Sequence, residues 1–288
     1  MKYRDRFGAE FDDTTSQDKL LDKMYSHAVS RAFIKFLSLP VFSKIGRKFL
    51  DSSLSAMFID SFAEKNGINM FDYEQQRFRS FNEFFKRKIK PSRRYIPKDD
   101  NILISPSDGK VSAYEITASS TFIIKNSVYT VQSLLRDKKL AERFGGGKAI
   151  VIRLTPDDYH RYVYPCTGRK SRNRHINGIL QTVNPVALLH EPVFKENTRE
   201  YCLIRSKTLG DIAMIEVGAL FVGKISNNEL SAANVSVGEE KGCFEFGGST
   251  IVVLTQKGKV NVSRDLLENT REGFETRVLQ GAELGKAQ

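Results

Sequence analysis

The sequence predicts an α+β protein, with N-terminal amphipathic helices packed on a β-rich body of short antiparallel strands, sandwich- or barrel-like. Three observations carry this expectation. Up to about residue 100, apolar residues recur at helical spacing. Beyond it they fall in short runs separated by glycine and polar turns. At 288 residues and 32.6 kDa, with 40% hydrophobic and 27% charged residues, the chain can bury a full core without disulfides or metals.

The helical stretches come first. Residues 27–50 place Val29, Phe33, Phe36 and Leu37 on one stripe, with Arg31 and Lys35 elsewhere, and Pro40 divides the stretch in two. A second stretch, 51–65, stops at Asn66-Gly67. A third, 80–89, opens on Ser80 as N-cap with Glu83 three residues later, a capping box, and Pro91 closes it. The strand-like runs are NILIS (101–105), KVSAYEI (110–116), TFIIK (121–125), KAIVIRL (148–154), GILQTV (178–183), YCLIRS (201–206), AMIEVGALFVGKI (213–225) and STIVVLT (249–255). One more helix is predicted at 131–143, stopped by Gly145-Gly146-Gly147. The most apolar run, 212–225, contains Glu216 and two glycines and reads as a buried strand.

The 45 Lys and Arg against 34 Asp and Glu leave a net charge of +11, which points to an anionic partner: nucleic acid, a membrane surface or a phosphorylated substrate. Cys166, Cys202 and Cys243 form no CxxC pair and suit a reducing compartment. A secretory signal is not expected, because MKYRDRFGAEFDD is charged from its start. No run of about 18 apolar residues is present to span a bilayer. Residues 77–98 hold nine Lys or Arg and one acid, Glu83, interleaved with Phe78, Phe81, Phe84, Phe85 and Ile89. With 27–50, that is the composition of helices lying in a membrane interface. The plainer alternative is aromatics packed on the β body beneath a solvated charged face. Nucleic acid ranks low, for no zinc finger or RNA-recognition motif accompanies the charge.

Four histidines, His27, His160, His175 and His190, form no HxH or HExxH pair, so no metal site is expected. GxGxxG, GxxxxGK[ST] and GxSxG are absent. Two segments stand out. TPDDYHRYVYP (155–165) places Asp157, Asp158, Tyr159, His160 and Arg161 just after an apolar strand, where side chains are held rigidly. GEEKGCFEFGGST (238–250) precedes another strand; it is an ordinary hairpin turn or something more. Gly248 tolerates unusual backbone angles, and Ser249 Oγ could attack the Gly248 carbonyl if a base removed its proton. Asp108, in SPSDGKV, is an acid in a tight turn that is either an ordinary Asp-Gly turn or an assisting group.

In this order, SFNEFFKRKIK (80–90), ISPSDGKV (104–111), LTPDDYHR (154–161), TVNP (182–185), ENTRE (196–200), VGALFVGKI (217–225) and KGCFEFGGST (241–250) resemble the phosphatidylserine decarboxylase family. The resemblance implies a proenzyme of the prokaryotic type that cuts itself between Gly248 and Ser249. A β chain of 1–248 and an α chain of 249–288 would then stay together as a heterodimer. Ser249 would become a covalent pyruvoyl group, the cofactor, which forms a Schiff base with phosphatidylserine and drives its decarboxylation to phosphatidylethanolamine. His160 would be the proton donor and Asp108 the relay acid. It further implies a basic helical membrane-associating region, 1–98, and a β-rich catalytic body, 99–288. The expected location is peripheral, on the cytoplasmic face of the cell membrane and against anionic lipid, with homo-oligomerisation left open.

One position departs from the family pattern. A second histidine often follows the DYHR histidine by three residues; here Val163 stands there. Either His160 takes both roles, or His175 reaches in, or processing is slow or lost. Lost processing would make the chain an uncut, non-catalytic lipid-surface-binding homologue. Lipoyl or biotinyl carriers and zinc peptidases rank low, because the modifiable lysine context and HxH are both missing.

Overall fold

A computed structural model of the chain describes residues 2–12, 46, 48–75, 77–117, 122–124, 127–177, 197–218, 224–245 and 249–288. Most of the 27–50 stretch, GILQTV, TVNP, His27, His190 and Gly248 lie outside them.

The chain opens with β1 (Lys2–Arg4) and β2 (Glu10–Asp12), then a 3-10 turn at Ser53–Phe58 leading into α1 (Ile59–Lys65), and α2 (Phe81–Phe85). Next come β3 (Ile102–Ile104), β4 (Gly109–Glu115), β5 (Phe122–Ile124), β6 (Ser127–Tyr129), α3 (Val131–Leu135), α4 (Lys138–Glu142) and β7 (Lys148–Leu154). They are followed by β8 (Arg161–Val163), β9 (Gly168–Lys170), β10 (Arg174–Ile176), β11 (Arg199–Ser206) and β12 (Gly210–Val217). The last part holds β13 (Ile225–Asn227), β14 (Ala233–Val235), β15 (Glu240–Phe244), β16 (Ser249–Thr255), β17 (Val260–Val262), α5 (Arg264–Arg271), β18 (Glu275–Val278) and β19 (Glu283–Ala287).

The α+β expectation holds, and the strands are mostly antiparallel. The main sheet runs β14-β9-β11-β12-β16-β7-β4-β18-β1-β2, with β10 added beside β11; only β1 against β18 is parallel. Two three-stranded sheets, β13-β15-β8 and β17-β19-β3, and a two-stranded one, β5-β6, lie apart from it. No sheet closes into a barrel among the described residues. Ile150, Ile152, Ile251 and Val253 join Tyr162, Phe244, Val260 and Leu284 in one core, so the two three-stranded sheets cover one face of the main sheet. Val151, Val252 and Ile215 join Leu134, Leu135 and Leu140 in a second core, which puts α3 and α4 on the other face. β7 and β16 therefore read as nearly continuous apolar runs, because both of their alternating faces are buried.

Some local expectations shift. The 131–143 helix breaks in two at Arg136, which adopts a left-handed conformation (φ 48°), and Asp137 caps the second piece through Leu140 N. Ser80 does cap α2, accepting from Glu83 N, but the Glu83 carboxylate takes Arg79 N rather than the Ser80 amide, and the helix ends at Phe85. The 212–225 run is not one strand: β12 ends at Val217 and β13 begins at Ile225. Residues 2–12, which have too few residues for a periodicity to show, form a hairpin that extends the main sheet.

In the helical layer, Phe81, Phe84 and Phe85 bury themselves with Ile59 and Ala63. Ser55 Oγ accepts Phe81 N at 2.8 Å, and Asn82 Nδ2 donates to Asp51 at 2.7 Å, which locks α2 onto the preceding turn. The aromatics of 77–98 are thus largely packing groups. Apart from Tyr95, the layer's large exposed apolar side chains lie outside that run: Phe49, Leu54, Met57, Phe58 and Phe71.

Candidate active site

Three neighbouring strands end together. The register Lys110↔Arg153 joins β4 to β7, and Arg153↔Thr250 joins β7 to β16. Asp108 precedes β4, Thr155 follows β7 and Ser249 opens β16, so all three sit at one edge of the sheet with strands about 4.8 Å apart. Gly109 permits this start, for a Cβ there would lie 2.7 Å from the Arg153 carbonyl oxygen.

Ser249 is fully buried and pairs with Leu154. Its strand is approached from β15, whose last residue, Phe244, donates its N–H to the His160 carbonyl at 2.9 Å. The DYHR loop therefore lies against the segment that leads into Ser249.

That loop is tightly held. Asp158 Oδ2 accepts both Thr155 N (2.7 Å) and Thr155 Oγ1 (2.8 Å), and Lys110 Nζ donates to Thr155 Oγ1 at 2.8 Å. Burial pushes the Asp158 carboxyl up to about 6, with Lys110 pulling the other way. The His160 ring is fully buried and packs on Phe85, with ring centroids 4.0 Å apart. Its Nδ1 lies 2.9 Å from the Asp158 carbonyl oxygen. A carbonyl only accepts, so Nδ1 carries the hydrogen and Nε2 keeps its lone pair. Nε2 is buried and has no partner among the described residues. Burial, and then the charge of Arg87, push His160 down to about 3, so the ring is neutral near pH 7.

Asp108 is buried, but its bonds run to Arg94 and not to His160. Arg94 Nε donates to Oδ1 at 2.9 Å and Arg94 Nη2 to Oδ2, while Gln280 N donates to Oδ1 at 2.7 Å. Gln280 also bridges the two segments, since its Nε2 donates to the carbonyls of Pro106 (3.1 Å) and Arg161 (3.0 Å). Val163 is buried in β8, and its N–H donates to Pro106. His175 lies far along the sheet: it pairs with Glu200, Glu200 with Glu216 and Glu216 with Ile251, three strand spacings from the strand of Ser249. Its ring is half exposed and sits 3.5 Å from Glu200. Of the two histidines, the fold brings only His160 to the sheet end that carries Ser249.

Arg87, Arg94, Lys110 and Gln280 were not singled out by sequence. Arg87 and Arg94 lay in a run of nine cations, where nothing distinguishes a buried guanidinium from a solvated one. Arg87 is buried, stacked over the Tyr73 and Phe84 rings at 4.6 and 4.8 Å, and donates to the carbonyls of Asp157 and Asp158 at 3.3 Å.

The family model of phosphatidylserine decarboxylase matches residues 81–286. The chain is 39% identical over 264 residues to "phosphatidylserine decarboxylase proenzyme 2" of Clostridium acetobutylicum, covering 91% of this chain and 90% of that one. It is 40% identical over 272 residues to the phosphatidylserine decarboxylase proenzyme of Ruminiclostridium cellulolyticum (93% and 91% covered), and 38% over 267 to that of Fusobacterium nucleatum (91% and 87%). The matched span takes in Asp108, the DYHR loop and the strand of Ser249 together with the segments that hold them, and the chain belongs to the phosphatidylserine decarboxylase family.

Proposed function

We propose that the chain is a proenzyme that cuts itself between Gly248 and Ser249 and then converts phosphatidylserine to phosphatidylethanolamine. The observation that carries this reading is the buried, neutral His160. Its Nε2 lone pair is unpartnered among the described residues, and its backbone is tied to the strand leading into Ser249. A group of that kind takes a proton from a hydroxyl without first having to lose one. Ser249 Oγ, relieved of its proton, attacks the Gly248 carbonyl, and the acyl group moves to oxygen. β-Elimination releases chain 1–248 with a terminal carboxylate and leaves a dehydroalanine at the start of chain 249–288. Water hydrolyses the imine tautomer of that residue, releasing ammonia and leaving the ketone.

The pyruvoyl group expected at Ser249 fits the site, because that position is buried and the histidine of the adjoining DYHR loop is held neutral. When formed, that group supplies a ketone to capture the substrate amine and an electron sink for the carbon that loses CO2. His160, once protonated, is a strong acid by virtue of its burial and returns its proton to carbon readily. His160 thus serves in both steps, and Val163 needs no substitute. Asp108 is the acid of the relay, held at the same sheet end by Arg94 and Gln280.

Leu54, Met57, Phe58 and Phe71 stand exposed on the basic layer, which supports a peripheral position on anionic lipid at the cytoplasmic face. No helix among the described residues is long and apolar enough to cross a membrane. The two cut chains remain one folded unit, since β16 of the shorter chain is hydrogen-bonded on both sides by strands of the longer one.

Intact mass spectrometry with a CO2-release assay tests the reading. The wild type yields two chains and releases CO2 from phosphatidylserine vesicles, whereas Ser249→Ala and Asp108→Asn remain single folded chains. A cut, active Ser249→Ala overturns the assignment, and an uncut wild type leaves a lipid-surface-binding homologue in its place.

A further inference from the structure

Next to the DYHR loop, a cavity of about 280 Å³ is lined by Lys86, Arg87, Lys88 and Arg161 together with Glu74 and Glu83. Arg161 is matched by Glu240 at 2.8 Å. Lys86, Arg87 and Lys88 make no ion pair among the described residues. Arg87 is the unusual member. Its exposure is only 1%, yet it faces carbonyls and aromatic rings rather than a carboxylate, and its Nε donor has no partner among the described residues. A guanidinium taken out of water without a counter-charge is costly, and here it borders a cavity that other cations share. Setting the four cations against Glu74, Glu83 and Glu240 leaves one positive charge, which suits a monoanion.

The cavity is also well placed. Arg87 Nη2 holds the carbonyls of Asp157 and Asp158, Lys86 O accepts Arg161 Nε at 2.9 Å, and Phe85 packs on the His160 ring. The site thus lies one residue from His160 on either side of the contact. In a serine phospholipid the phosphodiester is only a few bonds from the amine. We propose that this cavity is the phosphodiester subsite: Arg87, with Lys86 and Lys88, holds the headgroup phosphate while the amine and carboxylate reach the centre around Ser249 and His160. The assignment rests on the decarboxylase reading above and names the residues that select a phosphorylated serine over serine itself. Arg87 presents the planar fork that fits phosphate oxygens, and the two lysines act as point charges.

The test uses purified, processed enzyme and dihexanoyl phosphatidylserine dispersed as monomer, so that membrane docking plays no part. For Lys86→Gln/Lys88→Gln, KM rises about tenfold or more while kcat changes much less, self-cleavage measured by intact mass is unaffected, and glycerophosphoserine inhibits correspondingly less. Arg87→Lys, which keeps the charge and loses the fork, raises KM as well; should that protein not fold, the lysine variant decides. An unchanged KM on monomeric lipid overturns the subsite, including the case in which only vesicle binding falls. Inorganic phosphate competing as tightly as glycerophosphoserine also overturns it, for the cavity would then be a free-anion site. A wild type that neither cuts nor releases CO2 is a failure of the function itself, and is told apart from an active wild type whose variants keep their KM.

Discussion

Among the buried cations of the described residues, Lys241 and Arg87 are partnered in opposite ways. Lys241, on β15 behind the main sheet, is fully enclosed and meets Glu216 of β12 at 2.8 Å, Asn227 Oδ1 at 2.8 Å and the Tyr162 ring at 5.7 Å. Asn227 passes the network on to Glu200, which also accepts from Asn173. Arg87, at the boundary between the helical layer and the DYHR loop, has carbonyls and ring faces only. The first arrangement closes on itself and joins β15 to the main sheet. The second leaves positive charge directed at a cavity and at His160. Lys241, with its own carboxylate, is architecture; Arg87 has none and borders a cavity shared with other cations, which sets it apart from Lys170 and Arg199, whose charges are taken up by carbonyl and amide oxygens.

The largest effect tests the closed pair. Lys241→Met strands the Glu216 carboxylate, whose proton affinity burial already raises, and costs about 3–5 kcal/mol in urea denaturation, much of it regained in Lys241→Met/Glu216→Leu. A double variant as unstable as the single one would mean that the pair does more than neutralise its members.

Next comes the titration of His160. Its pKa is about 3 in the folded protein and about 6.5 when unfolded, so as pH falls below 6.5 the unfolded chain binds the proton first and stability is lost. Asp158 works in the other direction, for its folded value of about 6 lies above an unfolded value of about 3.9, adding stability as pH falls between them. The difference between wild type and His160→Phe isolates the histidine. Between pH 6.5 and 5 the variant loses on the order of 1–2 kcal/mol less than wild type. Equal losses would show that His160 is protonated in the fold.

Smaller still is Arg87→Met, which gives up two ring contacts and three long hydrogen bonds but relieves a buried charge, for a net loss of about 1 kcal/mol. It also raises the His160 pKa, read by NMR titration of the ring, which Lys241→Met does not. A loss as large as that of Lys241→Met would erase the contrast between the two cations. Least affected in stability is Met57→Gln/Phe58→Gln, within about 0.5 kcal/mol, because both side chains are exposed. Its expected signature is weaker flotation with anionic vesicles; undiminished flotation would move lipid contact away from this face.

Periodicity and punctuation were enough to anticipate β7 and β16, whose bounds match the apolar runs 148–154 and 249–255. The same local signals located the Ser80 cap and the stop at Asn66-Gly67. They failed where a distant partner decides. The 131–143 pattern cannot show that Arg136 turns left-handed, and 2–12 becomes strand only because β18 offers an edge. At the site, the ordered motifs drew attention to Ser249, His160 and Asp108, but not to the engagement of Asp108 with Arg94, nor to the distance of His175.

What the sequence determined by itself is chemistry in order along the chain: a Gly-Ser bond before a buried strand, a histidine after another, and cations concentrated in one layer. Residue types and local spacing carry that information, because capping, pleating and turn formation act over a few neighbours. The tertiary structure decided which of those groups share a sheet end, which histidine nitrogen is left without a partner, and which of nine similar cations is buried. These depend on strand register and on the dielectric of a packed interior, and both arise only when segments far apart in sequence come into contact.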